Sequence, residues 1–248
     1  MQGRFASTDL YLMSKQKLLD PQQWNMYSYT RNNPERFTDP TGEYVCTDTK
    51  RCEQFEKARQ EALKSKDSEA VRAAKAYGDP SKKAGDKGDN GVYVGFKDNL
   101  KGDRAGSVSA RDTGIEQDPN SPNGLRATVN VTIQNDHAGD EEVIAHEGSH
   151  VADRQDFVNA IGRDGDMTKA DALNITLRDS ERRAYKLSIS YAQRGNVTLN
   201  FGPCGMTKEC KFPPAMMPAL RDQQIDDLLN SQYKGLDNFL FPSLKVKP

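Results

Sequence analysis

Two of the chain's three histidines stand four residues apart, with a glutamate directly after the first: His146-Glu147-Gly148-Ser149-His150. On a helix, residues four apart share a face. His146 and His150 can therefore offer two imidazole nitrogens to one metal ion. Glu147 points to the side of that pair, where it suits a water better than the metal. Two nitrogen ligands with a neighbouring general base form the core of a zinc hydrolase site, one protein ligand short of complete. The plain alternative is a polar helix carrying two surface histidines.

The flanks must supply that helix. Asp140 is a good N-cap, and Glu141 and Glu142 suit the positive end of the helix dipole. Val143, Ile144 and Val151 add apolar surface near the histidine face. Gly148 runs against helix propensity by roughly 1 kcal/mol relative to alanine. Close approach of another backbone, or of substrate, is the expected reason. Before the helix, Ala127–Gln134 (ATVNVTIQ) alternates like a strand, with Val129, Val131 and Ile133 on one face, and a turn at 135–139 follows. Val92–Phe96 reads as a second strand and Ser107–Ala110 as a possible third. Lys50–Lys64 and Asp67–Tyr77 have helical spacing, the latter capped by Asp67 and stopped by Gly78 and Pro80. Residues 79–91 read as linker. Residues 168–194 read as one helix capped by Thr168 or Asp171, residues 195–218 as a Gly- and Pro-rich loop, 218–231 as a last helix and 239–248 as an irregular tail.

Two resemblances sharpen this reading. Ser180-Glu181-Arg182-Arg183-Ala184-Tyr185 resembles the glutamate-bearing helix of gluzincin peptidases, which implies Glu181 as third zinc ligand beside His146 and His150. Rivals are Asp156, Asp153 and His137. Asp156 sits six residues after His150, as the third ligand does in metzincins, but those need a glycine where this chain has Asp153. Without that turn the helix continues and carries Asp156 away from the histidine face. Asp153 or Asp156 can instead orient a histidine from behind. Tyr185 and His137 are candidates to stabilise an oxyanion. A strand directly before the histidine helix fits the zincin architecture, in which an edge strand along the cleft pairs with substrate backbone. The expected fold class is α+β, with a small twisted sheet and an active-site helix.

The second resemblance covers residues 3–42. Gly3-Arg4-Phe5, Asn25-Met26-Tyr27-Ser28-Tyr29, Arg31-Asn32-Asn33-Pro34 and Asp39-Pro40-Thr41-Gly42 follow in order. They resemble the closing segment of the Rhs/YD-repeat core. Glu43 stands where the family's pattern carries the leucine that marks self-cleavage in some relatives. In that family the core is a β-cage, and a variable toxin domain follows it. The implied organisation is a core end at 1–42 and a toxin domain at 43–248, with 43–91 a helical lead-in and linker and 92–248 the catalytic part. The implied partners are the rest of the cage, a protein or peptide substrate, and a cognate immunity protein. Delivery by a bacterial export system would follow, with action in an extracellular, periplasmic or target-cell compartment.

Composition bounds the alternatives. The 248 residues are 35% hydrophobic and 29% charged, with a net charge of −1. No apolar run is long enough to span a membrane. No basic face is expected, which weighs against nucleic acid and against a nuclease toxin. No export signal is visible at Met1. Cys46 and Cys52, and Cys204 and Cys210, are each separated by five residues, wider than structural zinc spacing. Two local disulfides, Cys46–Cys52 and Cys204–Cys210, are the simplest pairing and suit an oxidising space. The expected function is a zinc-dependent endopeptidase that hydrolyses peptide bonds with a metal-activated water. Its rivals are a zinc-binding module without catalysis and, further off, a nuclease.

Overall fold

The computed structural model describes residues 49–78, 91–100, 104–108, 114–118, 121–204, 208–233 and 235–241. The segment at 3–42, Cys46 and Pro80 lie outside them.

Two helices come first, α1 (Thr49–Leu63) and α2 (Ser68–Ala76). Asp67 caps α2 by accepting from Glu69 N, and Gly78 leaves it at a φ of 100°. A small sheet follows. Its strands are β1 (Val92–Lys97), β2 (Gly106–Val108), β3 (Gly114–Gln117) and β4 (Leu125–Gln134). β4 is central. β1 lies parallel along one side of it, while β2 and β3 pair antiparallel with its two halves on the other. Val129, Val131 and Ile133 are buried, as their alternation requires, each worth roughly 1.5–3 kcal/mol of apolar burial. β3 has too few apolar residues to give a strand signal; its backbone pairing with β4 makes it one.

A turn at 135–137 leads into α3 (Glu141–Ala160), which packs on the sheet through Ile144, Val151, Phe157 and Val158. The helix runs on past Asp153, as the absence of a glycine there demands. Asp140 occupies the N-cap position without a capping hydrogen bond. Its carboxylate instead meets His137 Nδ1 at 2.6 Å.

The stretch 168–194 is two helices rather than one. A single turn, α4 (Thr168–Asp171), ends early, and α5 (Leu177–Arg194) starts afresh. The cap of α5 is Thr176, whose hydroxyl accepts from Asp179 N and donates to the Asp179 carboxylate. This reciprocal pairing is a stronger start signal than Thr168 or Asp171. Residues 195–218 are not simply a loop. They hold an antiparallel hairpin, β5 (Leu199–Cys204) and β6 (Lys208–Phe212), followed by α6 (Pro218–Gln232). Leu199, Phe201, Cys210 and Phe212 bury one face of it with Tyr185, Ile225, Leu228 and Leu229. The start of the tail is fixed as well. Leu240 N donates to Ile175 O, and Phe241 stacks on Phe157. Residues 242–248 lie outside the described set. Cys210 is disulfide-bonded; the side chains of Cys46, Cys52 and Cys204 lie outside the described residues. Among the described residues no helix is long and apolar enough to cross a membrane. The architecture is mixed α+β.

Three layers position α3. The sheet lies on one side, α2 on a second and α5 on a third. Gly148 explains itself here. A Cβ at that position would come within 2.5 Å of Ala73 O in α2 and 2.8 Å of the Tyr77 ring. Of the two expected reasons, close approach of another backbone is the one found. Ala70, Ala73 and Ala74 of α2 meet Ala145 of α3 and Leu187 and Tyr191 of α5 in a tight, small-residue contact. Tyr77 closes it by donating to Ile144 O at 2.6 Å. The lead-in helices are thus packed directly against the histidine helix.

Candidate metal centre

α3 and α5 bring the sequence candidates together. His146 and His150 lie one turn apart on α3, facing Glu181 near the start of α5. Glu181 Oε2 is 3.4 Å from His146 Nε2 and 3.5 Å from His150 Nε2. One ligand atom from each residue lies within 4.8 Å of the others, a group able to hold a metal ion. The histidines are not surface residues: His150 is buried, His146 nearly so.

The donor set fits a small divalent cation. Two imidazole nitrogens and one carboxylate oxygen suit zinc, and three protein ligands leave a further position open. An independent sign is the state of Glu181 Oε2. It is buried and has no hydrogen-bond partner, and the nearest imidazole nitrogens are too distant for good hydrogen bonds. A buried carboxylate oxygen of that kind needs a cation. Burial alone would raise the Glu181 carboxyl; His150 and His146 together outweigh it and hold the group well below its ordinary range.

Glu147 lies beside this group without joining it. It is 5% exposed, and its Oε2 also lacks a hydrogen-bond partner. Burial pushes its carboxyl up to about 7, with Glu181 adding to the rise and His146 opposing it. That places it close to the working range of a general base. β2 supplies its wall: a Cβ at Gly106 would come within 2.6 Å of Glu147 Oε1. Only glycine lets the strand lie this close to the carboxylate.

The remaining candidates sort by distance from the cluster. Asp153 is buried behind it and accepts from Ser180, Arg72 and Arg183. It reaches His150 through Ser180, whose Oγ is 2.9 Å from His150 Nδ1. Asp156 points elsewhere and pairs with Arg72 at 2.6 Å. His137 is paired with Asp140 just before the first turn of α3 and is not part of the cluster. Tyr185 sets its ring edge-on against His146, with centroids 4.7 Å apart. Its hydroxyl meets the Tyr233 hydroxyl at 2.6 Å. Burial, then the Glu181 charge, raises both phenols.

Four residues near the site were not found from sequence. Ser180 and Ser188 contact the two histidines, and Ser188 Oγ lies 3.3 Å from His146 Nδ1. Tyr233 arrives from the end of α6. Arg104, exposed just before β2, places its positive charge where it acts on Glu147, Tyr185 and Tyr233. Only the serines carried a signal: residues 180, 184 and 188 are small and spaced by four on one face of α5. Comparison of the chain with protein-family models, with curated proteins and with solved structures returns no match.

Proposed function

We propose that residues 43–248 form a zinc-dependent endopeptidase of the zincin type, carried as the C-terminal toxin domain of an Rhs-like protein. The observation that carries the peptidase reading is one constellation. Two imidazole nitrogens converge on one buried carboxylate oxygen that has no hydrogen bond, and a second buried carboxylate, one oxygen of which also has none, stands beside them. The toxin reading rests on the Rhs-like sequence at 3–42.

His146, His150 and Glu181 would hold the zinc, which when bound supplies Lewis acidity to a peptide carbonyl and to water. Glu147 takes the proton from the attacking water and passes it to the leaving amine. Its burial serves that task, because a carboxylate held near neutrality both accepts and returns a proton readily. The outer edge of β2 pairs with no described strand and lies beside Glu147. An extended substrate can add to it through backbone hydrogen bonds, which sets a peptide across the site without demanding a particular sequence. A zinc-binding module without catalysis gives no reason to bury Glu147 with a free oxygen.

Native mass spectrometry tests the metal half of this reading. Protein purified without chelator, or treated with zinc, should carry one zinc per chain, lost on His146→Ala or His150→Ala. No bound metal after zinc addition refutes it.

A further inference from the structure

We propose that Ser180 and Ser188 are the positioning residues of this centre. From α5 they hold both imidazoles as the Nδ1–H tautomer, so the helix that bears Glu181 also aims the two nitrogens from α3. The inference rests on the reading of His146 and His150 as metal ligands.

A serine hydroxyl has one proton to give and two lone pairs to receive with. Ser188 Oγ is 3.0 Å from Glu142 O, a backbone carbonyl that can only accept. The Ser188 proton goes there, and Oγ must then accept from His146 Nδ1 at 3.3 Å. Ser180 Oγ lies 2.7 Å from Asp153 Oδ2. The other oxygen of Asp153 takes Arg72 at 2.7 Å, and Arg183 as well. A carboxylate gripped by two guanidiniums receives from the hydroxyl, so Ser180 accepts from His150 Nδ1 at 2.9 Å. Both imidazoles thus carry their proton on Nδ1. Both Nε2 lone pairs turn toward Glu181 Oε2. An imidazole does not choose this tautomer unaided; the partner on the other nitrogen decides it.

The two supports are separate. One runs from His150 through Ser180 to Asp153 and its arginines, one of which, Arg72, belongs to α2. The other runs from His146 through Ser188 to the backbone of α3 itself. Ser180 and Ser188 are eight residues apart on α5, with Ala184, fully buried, between them. The small side chains let the helices approach closely enough for a hydroxyl to bridge them. The pattern is compact: a serine directly before the ligand glutamate, and another seven residues after it.

The test reads tautomers directly, from the nitrogen chemical shifts of His146 and His150 in metal-free protein at about pH 8, above the ordinary imidazole range. The wild type should show Nδ1–H at both rings. Ser180→Ala should shift His150 alone toward Nε2–H, and Ser188→Ala should shift His146 alone. Ser180→Thr, which keeps the hydroxyl, should restore His150. Zinc affinity measured by chelator competition should fall about 10–100-fold in each alanine variant. A merely structural role would lower stability without selecting one ring. Nε2–H rings in the wild type overturn the inference, as do rings that ignore the substitutions. A protein that shows the serine-dependent tautomers and takes up no zinc keeps the tautomer assignment but overturns the metal reading, and with it the positioning role.

Discussion

Glu147→Gln should stabilise the metal-free protein, and by an amount that depends on pH. The Glu147 carboxyl is pushed up to about 7 by burial, from an ordinary value of 4.5. A raised carboxyl means that the folded state prefers the neutral form. Below about pH 4.5 the group is protonated in both folded and unfolded chains and costs nothing. Between about 4.5 and 7 the unfolded chain ionises and the folded one does not, so stability falls as pH rises. Above about 7 the full cost is present. At about 1.4 kcal/mol per pH unit across that gap, the charged carboxylate costs the fold about 3 kcal/mol. Glutamine keeps the shape and carries no charge, so it escapes this cost. In a chain of this size about 3 kcal/mol corresponds to a Tm gain of about 6–12 °C. Thermal unfolding in excess chelator at about pH 5 and about pH 8 measures it. The variant should be clearly more stable at the higher pH, with the gap mostly closed at the lower. Zinc should narrow the gap in the wild type's favour, because a cation beside Glu147 offsets the burial cost. A gap that is the same at both pH values, or a variant less stable at about pH 8, refutes the argument.

Other consequences separate the roles of neighbouring residues. Glu181→Ala should lower zinc affinity, whereas Asp156→Ala, which removes a partner of Arg72 only, should leave it nearly unchanged; competition with a chelator decides. Gly148→Ala should destabilise the fold by about 1–3 kcal/mol despite the helix-propensity gain, because its Cβ would overlap the Ala73 carbonyl; denaturant midpoints measure this. A thiol reagent applied to unfolded, unreduced protein should find no reactive cysteine, and four reactive thiols would overturn the disulfide reading.

The parts of the site that were legible are those whose spacing is itself the chemistry. His146 and His150 announce themselves by a four-residue interval, and the uninterrupted helix through Asp153 carries Asp156 away from their face, as periodicity alone required. Gly148 and the alternation in β4 were readable for the same reason: each records a local geometric demand. What stayed hidden depends on contacts between distant segments. Asp153 works through Ser180 across two helices, and no spacing within α3 reveals that intermediary. Asp140 matched a capping rule yet gave its carboxylate to His137, because a nearby imidazole outcompeted the backbone N–H. The hairpin at 199–212 was masked by Gly and Pro in its strands. It exists because Phe201 and Phe212 bury against Tyr185 and α6, which no local signal contains. Arg104 and Tyr233 are near the site only because β2 and the end of α6 converge there.

The most direct test of the account is peptide cleavage by wild type and Glu147→Gln with equal zinc content. Purified wild type should cleave a broad peptide mixture, lose that activity in excess chelator and regain it with zinc. Glu147→Gln should bind the same zinc and cleave about 10²–10⁴-fold more slowly. Zinc-loaded wild type that cleaves nothing, or a Glu147→Gln variant that cleaves as fast as wild type, would contradict it.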